Sequence, residues 1–307
     1  MTKPTVFIDG EAGTTGLQIR ERLAALPAVD VLSVDPALRK DEAARANLYE
    51  QADVVILCLP DEAAIAATKL ADSLGSKAPR LIDASTAHRL APGWVYGFPE
   101  LSPGQSTAIV HATHVSNPGC YPTGAIALLR PLIDAGLIPV DYPITINAVS
   151  GYSGGGNSMI AAYQSTKTAP AFELYGLALN HKHVPEIATY SGLTRRPIFV
   201  PSVGNFHSGM IVSIPLHLDT LQAHPTASGL HDALAAHYAN SSHVKVMTPR
   251  SDQRLAADKL AGSDQLELSV YGVEALKQAV LVARLDNLGK GAAGAAVQNL
   301  KLMLGLE

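Results

Sequence analysis

Short apolar runs alternating with helix-periodic stretches dominate the first third of the chain. Residues 5–9 (Thr-Val-Phe-Ile-Asp), 29–34, 53–59 and 80–84 read as strands, and residues 17–26 and 60–74 as helices. Val54-Val55-Ile56-Leu57 is apolar at every position, the pattern of a strand covered on both faces of a parallel sheet. This alternation predicts an α/β, Rossmann-type doubly wound sheet. It ends near Ser116. Residues 125–135 follow as an apolar helical run. After it, residues 143–150, 198–203, 210–218, 244–247, 266–273 and 278–285 read as strands, with helices near 185, at 230–238 and at 292–304. Strands grouped apart from helices predict a second, α+β domain.

The joints between these elements carry the candidate chemistry. The first strand runs straight into Gly10-Glu11-Ala12-Gly13-Thr14-Thr15-Gly16 and then a helix. Strand, glycine turn and helix in that order make a dinucleotide-binding unit, with the pyrophosphate at the helix N-terminus. The spacing is G-x-x-G-x-x-G; a tight turn with no ligand would read the same way. At the end of the second strand the signal is divided. Asp35 suits the ribose 2′-hydroxyl of NAD, whereas Arg39 and Lys40 suit the 2′-phosphate of NADP or simply begin a solvated helix. The loop after the fourth strand, Ser85 to Leu90, lies where open α/β sheets bind ligands, and its Arg89 can hold a phosphate or carboxylate.

Ser116-Asn117-Pro118-Gly119-Cys120-Tyr121-Pro122-Thr123-Gly124 puts one thiol immediately before the apolar helix. A cysteine at a helix N-terminus faces unpaired N–H groups and the positive end of the dipole, and both favour thiolate. Cys58, inside an apolar run, reads as core. Asn180-His181-Lys182-His183-Val184-Pro185-Glu186 opens another helix, since Pro185 and Glu186 suit a first turn. Two histidines and a carboxylate there point to acid/base work. They lack a third well-placed ligand for zinc, so no metal is expected. Gly151 to Gly156 is a loop rich in backbone donors, either an anion cradle or a connector.

Composition narrows the classes. The chain of 307 residues is long enough for two domains, is 47% hydrophobic and carries a formal net charge of −4. No basic block invites nucleic acid. No run reaches membrane-spanning length, and no signal-peptide pattern opens the chain. Two cysteines are too few for a disulfide scaffold, which fits a reducing cytoplasm.

Taken together, the Cys120 stretch, His181-Lys-His-Val-Pro-Glu186, Ser150-Gly-Tyr-Ser-Gly154 and Asp286-Asn-Leu-Gly-Lys-Gly291 resemble the N-acetyl-gamma-glutamyl-phosphate reductases, arginine-pathway relatives of aspartate-semialdehyde dehydrogenase. The match is to the shorter, second type; the longer type has Gly-Ala-Ser-Gly-Tyr-Thr-Gly at the glycine turn. The resemblance implies a discontinuous NADP-binding domain, residues 1–117 and 288–307, and an α+β catalytic and oligomerisation domain, residues 118–287. It implies NADPH as cofactor, with which Asp35 is at odds, a small-molecule substrate, a homo-oligomer (dimer or tetramer) and a cytoplasmic biosynthetic enzyme. Its catalytic set is Cys120, forming a thioester, with His183, His181 and Glu186. Helix-start geometry leans to His183 as the acid/base and leaves His181 open, with Glu186 orienting the histidine. The cofactor set is Gly10, Gly13, Thr14, Thr15, Gly16, Ser33, Arg39, Leu59, Pro60, Ser85, Asn287 and Lys290. The substrate set is Arg89, Asn117, Ser153 and Gly154. Two other readings stay open: a sibling enzyme acting on aspartyl phosphate, and a nucleotide-sensing regulator that kept the fold without the chemistry.

Overall fold

The computed structural model describes residues 3–165, 168–248 and 254–306. In chain order the elements are β1 (Thr5–Asp9), α1 (Thr14–Ala24), β2 (Asp30–Leu32), α2 (Glu42–Gln51), β3 (Val54–Leu57), α3 (Asp61–Ser73), β4 (Arg80–Asp83), β5 (Val95–Tyr96), α4 (Gln105–His111), β6 (His114–Ser116), α5 (Cys120–Asp134), β7 (Thr145–Gly151), α6 (Gly156–Ser165), β8 (Phe172–Leu174), α7 (Val184–Ser191), β9 (Ile198–Gly204), β10 (Met210–His217), α8 (Ala227–His237), β11 (Val244–Met247), β12 (Leu266–Val273), β13 (Gln278–Leu285) and α9 (Gly294–Leu304). They divide into two compact units. The first comprises residues 1–99, 103–118 and 292–307, and the second residues 100–102 and 119–291.

The first unit is a parallel sheet in the order β2-β1-β3-β4-β6-β5. Period-two alternation sends Val6, Ile8, Val54 and Ile56 to one face and Phe7, Val55 and Leu57 to the other. The first set packs with Ile19 and Leu23 of α1 and with Ala296, Val297 and Leu300 of α9. The second packs with Tyr49 of α2 and with Ala67 and Ala71 of α3. Both faces are dry, which is why these strands read as unbroken apolar runs. Arg80 ties two helix ends together. Its guanidinium donates to the carbonyls of Val110 and Ala112 at the end of α4 (2.7 and 2.9 Å) and to that of Met303 in α9. A cation there answers the orphan carbonyls and the negative dipole ends.

Strand order reverses at β1, since β2 lies on one side of it and β3 on the other. That switch point opens a crevice at the carboxyl ends of the strands. Gly10 lines it from the end of β1. Its φ is +92°, and a Cβ there would come within 2.8 Å of the Cys58 carbonyl carbon, so only glycine fits. Cys58 lies one residue past β3 rather than inside it, and burial, then the charges of Asp83 and Asp9, push its thiol up to about 12.

The second unit is a mixed sheet in the order β11-β12-β13-β10-β7-β9-β8, parallel only at β11/β12 and β7/β9. Met210, Val212, Ile214 and Leu216 of β10 and Ala279, Leu281, Ala283 and Leu285 of β13 are buried, at alternate positions. The long apolar helix α5 packs on these strands and against α7 and α8. Pro131 interrupts it and cannot donate to the Ala127 carbonyl. The buried Tyr238 hydroxyl donates to that carbonyl instead (2.9 Å). An interior proline is tolerated because a side chain from α8's end replaces the missing donor.

Three short strands (β5, β6, β8) and two helices (α4, α6) have no counterpart in the sequence pattern, while α2, capped by Asp41, is the solvated helix that the Arg39–Glu42 stretch could begin. The strands span only two or three residues, too few to show a period.

Candidate active site

Cys120 is the first residue of α5, with Gly119 as N-cap in extended conformation (φ −72°, ψ 153°). Gly119 has no side chain to cap the helix, so its flanks do the holding. The Thr123 N–H and hydroxyl both donate to the Gly119 carbonyl (2.9 Å each). From α7, the Glu186 carboxylate accepts the Gly119 N–H (2.8 Å). Glu186 is 1% exposed. That bond clips the backbone that carries the thiol. Cys120 is half-buried. Gly291 lies against it: a Cβ at 291 would stand 2.9 Å from the Cys120 Cβ and 3.0 Å from the Asp286 carbonyl. The glycine of the C-terminal motif is thus demanded by the cysteine it touches.

The two histidines are neighbours with different commitments. Their rings lie 4.7 Å apart, edge to face, and both meet the Tyr121 ring, at 6.1 Å for His181 and 5.9 Å for His183. The His183 backbone N–H donates to His181 Nδ1 (3.1 Å). An accepting Nδ1 carries no proton, so His181 is the Nε2–H tautomer. Burial, then the Lys182 charge, lowers its pKa to about 4, and it stays neutral. His183 is the buried N-cap of α7. Tyr175, which the sequence reading missed, completes the group. Its hydroxyl donates to that of Tyr121 (3.1 Å), which in turn donates to the Ser202 carbonyl (3.0 Å). Burial drives the Tyr175 phenol up to about 12, with the Tyr121 bond pulling down and the Cys120 charge adding to the rise. No local sequence signal marks Tyr175, because only the pairing of β8 with β9 brings it here.

The remaining expected residues sort by what already holds them. The Gly151–Ser153 turn is not a loose connector. Its three N–H groups donate to the carbonyls of Gly209, Phe206 and His207, which removes them from any anion cradle. Asn287 bridges Ser153 Oγ (2.9 Å) and the Gly209 N–H (2.8 Å). The Lys290 ammonium, 1% exposed, sits on both oxygens of Glu100 (2.8 and 2.9 Å). Both are among the residues expected at the nucleotide, and within the second unit these bonds fasten the chain to itself. Gly154 sits over the Ser150 hydroxyl. In the first unit Asn117 donates from Nδ2 to the Ala292 carbonyl (2.9 Å) and accepts at Oδ1 from Asn299 (3.2 Å). Arg89 is buried and donates from Nε to the Asn117 carbonyl (3.1 Å). Ser85 and His88 both bond the fully buried Asp83 (2.7 and 2.6 Å), and His88 stacks on Trp94 at 4.1 Å. Leu59 and Pro60 follow β3 at the crevice, and Pro60 caps α3. Among the described residues, no group of three or more His, Cys, Asp or Glu could hold a metal, and no helix is long and apolar enough to cross a membrane.

The second unit thus carries a thiol at a helix start and a pair of histidines, and the first unit is a doubly wound sheet of the nucleotide-binding kind. Residues 35–109 match the NAD-binding domain of semialdehyde dehydrogenases, and residues 120–287 match their dimerisation domain. The N-acetyl-gamma-glutamyl-phosphate reductase of Brucella ovis is 52% identical over 310 residues, covering 99% of each chain. That of Brucella anthropi is 52% identical over 311 residues with the same coverage. The chain belongs to the N-acetyl-gamma-glutamyl-phosphate reductase family. Aspartate semialdehyde dehydrogenase II of Vibrio cholerae, complexed with ASA, superimposes with a TM-score of 0.73 over 99% of each chain at 15% identity. The Francisella tularensis enzyme gives 0.73 over 98% of this chain and 100% of its own at 12% identity. Identities this low speak for the fold alone.

Members of this reductase family are oxidoreductases with a nicotinamide-binding domain, and the first unit fits such a cofactor. No side chain caps α1 and no acidic residue sits in its first turn, so the positive end of its dipole suits an anion. Gly10 is fixed by sterics, but Gly13 is not. Its φ is −77°, and a Cβ there would meet only ordinary contacts, 3.5 Å from the Gly10 carbonyl. The absent side chain keeps open the surface that a pyrophosphate would occupy. Thr14 and Thr15 begin the helix at that surface.

Proposed function

We propose that the protein reduces N-acetyl-L-glutamyl 5-phosphate to N-acetyl-L-glutamate 5-semialdehyde plus phosphate, with NADPH, in arginine biosynthesis. The observation that carries the reading is Cys120 at the clipped start of α5, within a chain that is 52% identical end to end to reductases of that name. Cys120 Sγ attacks the acyl carbon of the substrate and expels phosphate, leaving a thioester. A thioester is electrophilic enough to accept hydride, and the thiolate then leaves the resulting hemithioacetal as the aldehyde forms. When bound, NADPH supplies that hydride. His183 takes the Cys120 proton before attack and returns it after release. His181 does not exchange protons at neutral pH: its Nδ1 is held by a backbone N–H and its ring is neutral. It meets the His183 ring edge to face and offers an Nε2–H as a fixed donor. Glu186 keeps the helix start in place. The protein works as a homo-oligomer, dimer or tetramer, through the 120–287 region, and is cytoplasmic.

The assay runs in reverse, with N-acetyl-glutamate semialdehyde, phosphate and NADP+, following NADPH absorbance. Cys120→Ser is expected to lower turnover by at least about 10³-fold. Normal turnover by that variant refutes covalent catalysis. Faster turnover of aspartate semialdehyde than of the N-acetylated substrate replaces this reading with the sibling one.

A further inference from the structure

The cation expected to recognise the cofactor's 2′-phosphate was Arg39, but the structure offers a better placed one. In a doubly wound fold the adenosine ribose lies at the end of the second strand. Here that end is Leu32, followed by the exposed Ser33. Arg20 reaches this spot from α1: its Nη1 donates to Ser33 Oγ at 3.0 Å and to the Glu11 carboxylate. The side chain is 45% exposed. Both contacts use Nη1, so among the described residues no acceptor takes Nε or Nη2. Those N–H groups form the edge of the guanidinium that grips a phosphate bidentately. The Glu11 carboxylate shows that an oxyanion is held by this guanidinium where it sits.

The competing groups are worse prepared. Arg39 and Lys40 are exposed in the 33–41 loop, and Arg39 has no hydrogen bond or ion pair among the described residues. Binding through it would require ordering a long free side chain. Asp35, which would favour the unphosphorylated ribose, has Oδ1 turned back onto the Ala37 N–H (2.9 Å).

We infer that Arg20, with Ser33, is the residue pair that selects a 2′-phosphorylated dinucleotide over the plain one. The inference rests on the nucleotide reading given above. It is tested by calorimetric titration of the full-length protein and its Arg20→Ala, Arg20→Lys and Arg39→Ala variants with 2′,5′-ADP and, separately, NAD+. Loss of a charge-assisted phosphate contact should weaken 2′,5′-ADP about tenfold to a hundredfold in Arg20→Ala, with NAD+ changed less than about twofold. Arg20→Lys recovers part of the loss, and Arg39→Ala stays close to wild type. Unchanged 2′,5′-ADP binding in Arg20→Ala, equal losses for both probes, or a larger loss in Arg39→Ala overturns the assignment. A wild-type protein that binds neither probe overturns the nucleotide reading as well, so the two failures are distinguishable.

Discussion

Replacing Glu186 by alanine tests how the thiol is held. The Glu186 carboxylate accepts the Gly119 N–H at 2.8 Å, and both residues are buried. Water cannot easily replace a partner there. The truncation removes a hydrogen bond to a charged acceptor and leaves a buried donor orphaned, about 1–3 kcal/mol. It also removes a carboxylate from the positive end of a 15-residue helix, about 0.5–1 kcal/mol more. Relief of the buried charge's own desolvation offsets part of this. The net is about 2–3 kcal/mol, which for a body of this size lowers the melting temperature by about 5–10 °C. Glu186→Gln keeps an oxygen acceptor and loses only the charge, so it should cost about 1 kcal/mol. Turnover in Glu186→Ala should fall about tenfold or more as the start of α5 loosens and Sγ wanders from its line of attack. Differential scanning fluorimetry and the reverse assay read both quantities. An alanine variant melting within a degree of wild type, or a glutamine variant as damaged as the alanine one, refutes the clip.

Three further outcomes are expected. Lys290→Met takes the ammonium off the Glu100 carboxylate, 9% exposed, whose other basic neighbour His243 stands 3.9 Å away, and should destabilise the fold by about 2–3 kcal/mol in a denaturant titration; a drop under about 1 kcal/mol would show that the pair does not hold residues 100–102 in the second unit. Iodoacetamide at pH 7.5 should modify Cys120 and spare Cys58, whose thiol is pushed up to about 12; peptide mass spectrometry finding Cys58 alkylated first reverses the assignment. His181 titrates near 4 folded against 6.5 for an ordinary histidine, so between those values the unfolded chain binds a proton that the fold refuses. Its neutrality costs no stability above pH 6.5, and stability is lost as the pH falls from about 6.5 to 4. Discounted for partial exposure, His181→Asn should flatten that loss by about 1–2 kcal/mol between pH 7.5 and 4.5, and an unchanged slope in urea midpoints would show that His181 is not the group responsible.

The elements that the sequence determined by itself are those whose cause is local. Runs such as residues 54–57 are apolar because both faces of a parallel strand are covered, and period-two alternation in β10 and β13 follows from one buried face. The glycine turn before α1 and the thiol before α5 announce helix starts, because the N-terminal geometry of a helix depends on a few consecutive residues. What tertiary structure alone decided are the partners of those groups. Nothing near residue 186 says that its carboxylate will take the Gly119 N–H, 67 positions away. Nothing near Pro131 announces Tyr238 as the replacement donor, and nothing near Ser33 marks Arg20. Nothing near Asn287 and Lys290 names Ser153, Gly209 and Glu100 as the groups that hold them. A buried polar group must find a partner, but which partner is set by how sheets and helices stack. His181 makes the same point within two residues: its role turned on a backbone N–H folding back onto Nδ1, a matter of local dihedral angles that residue identities alone leave open.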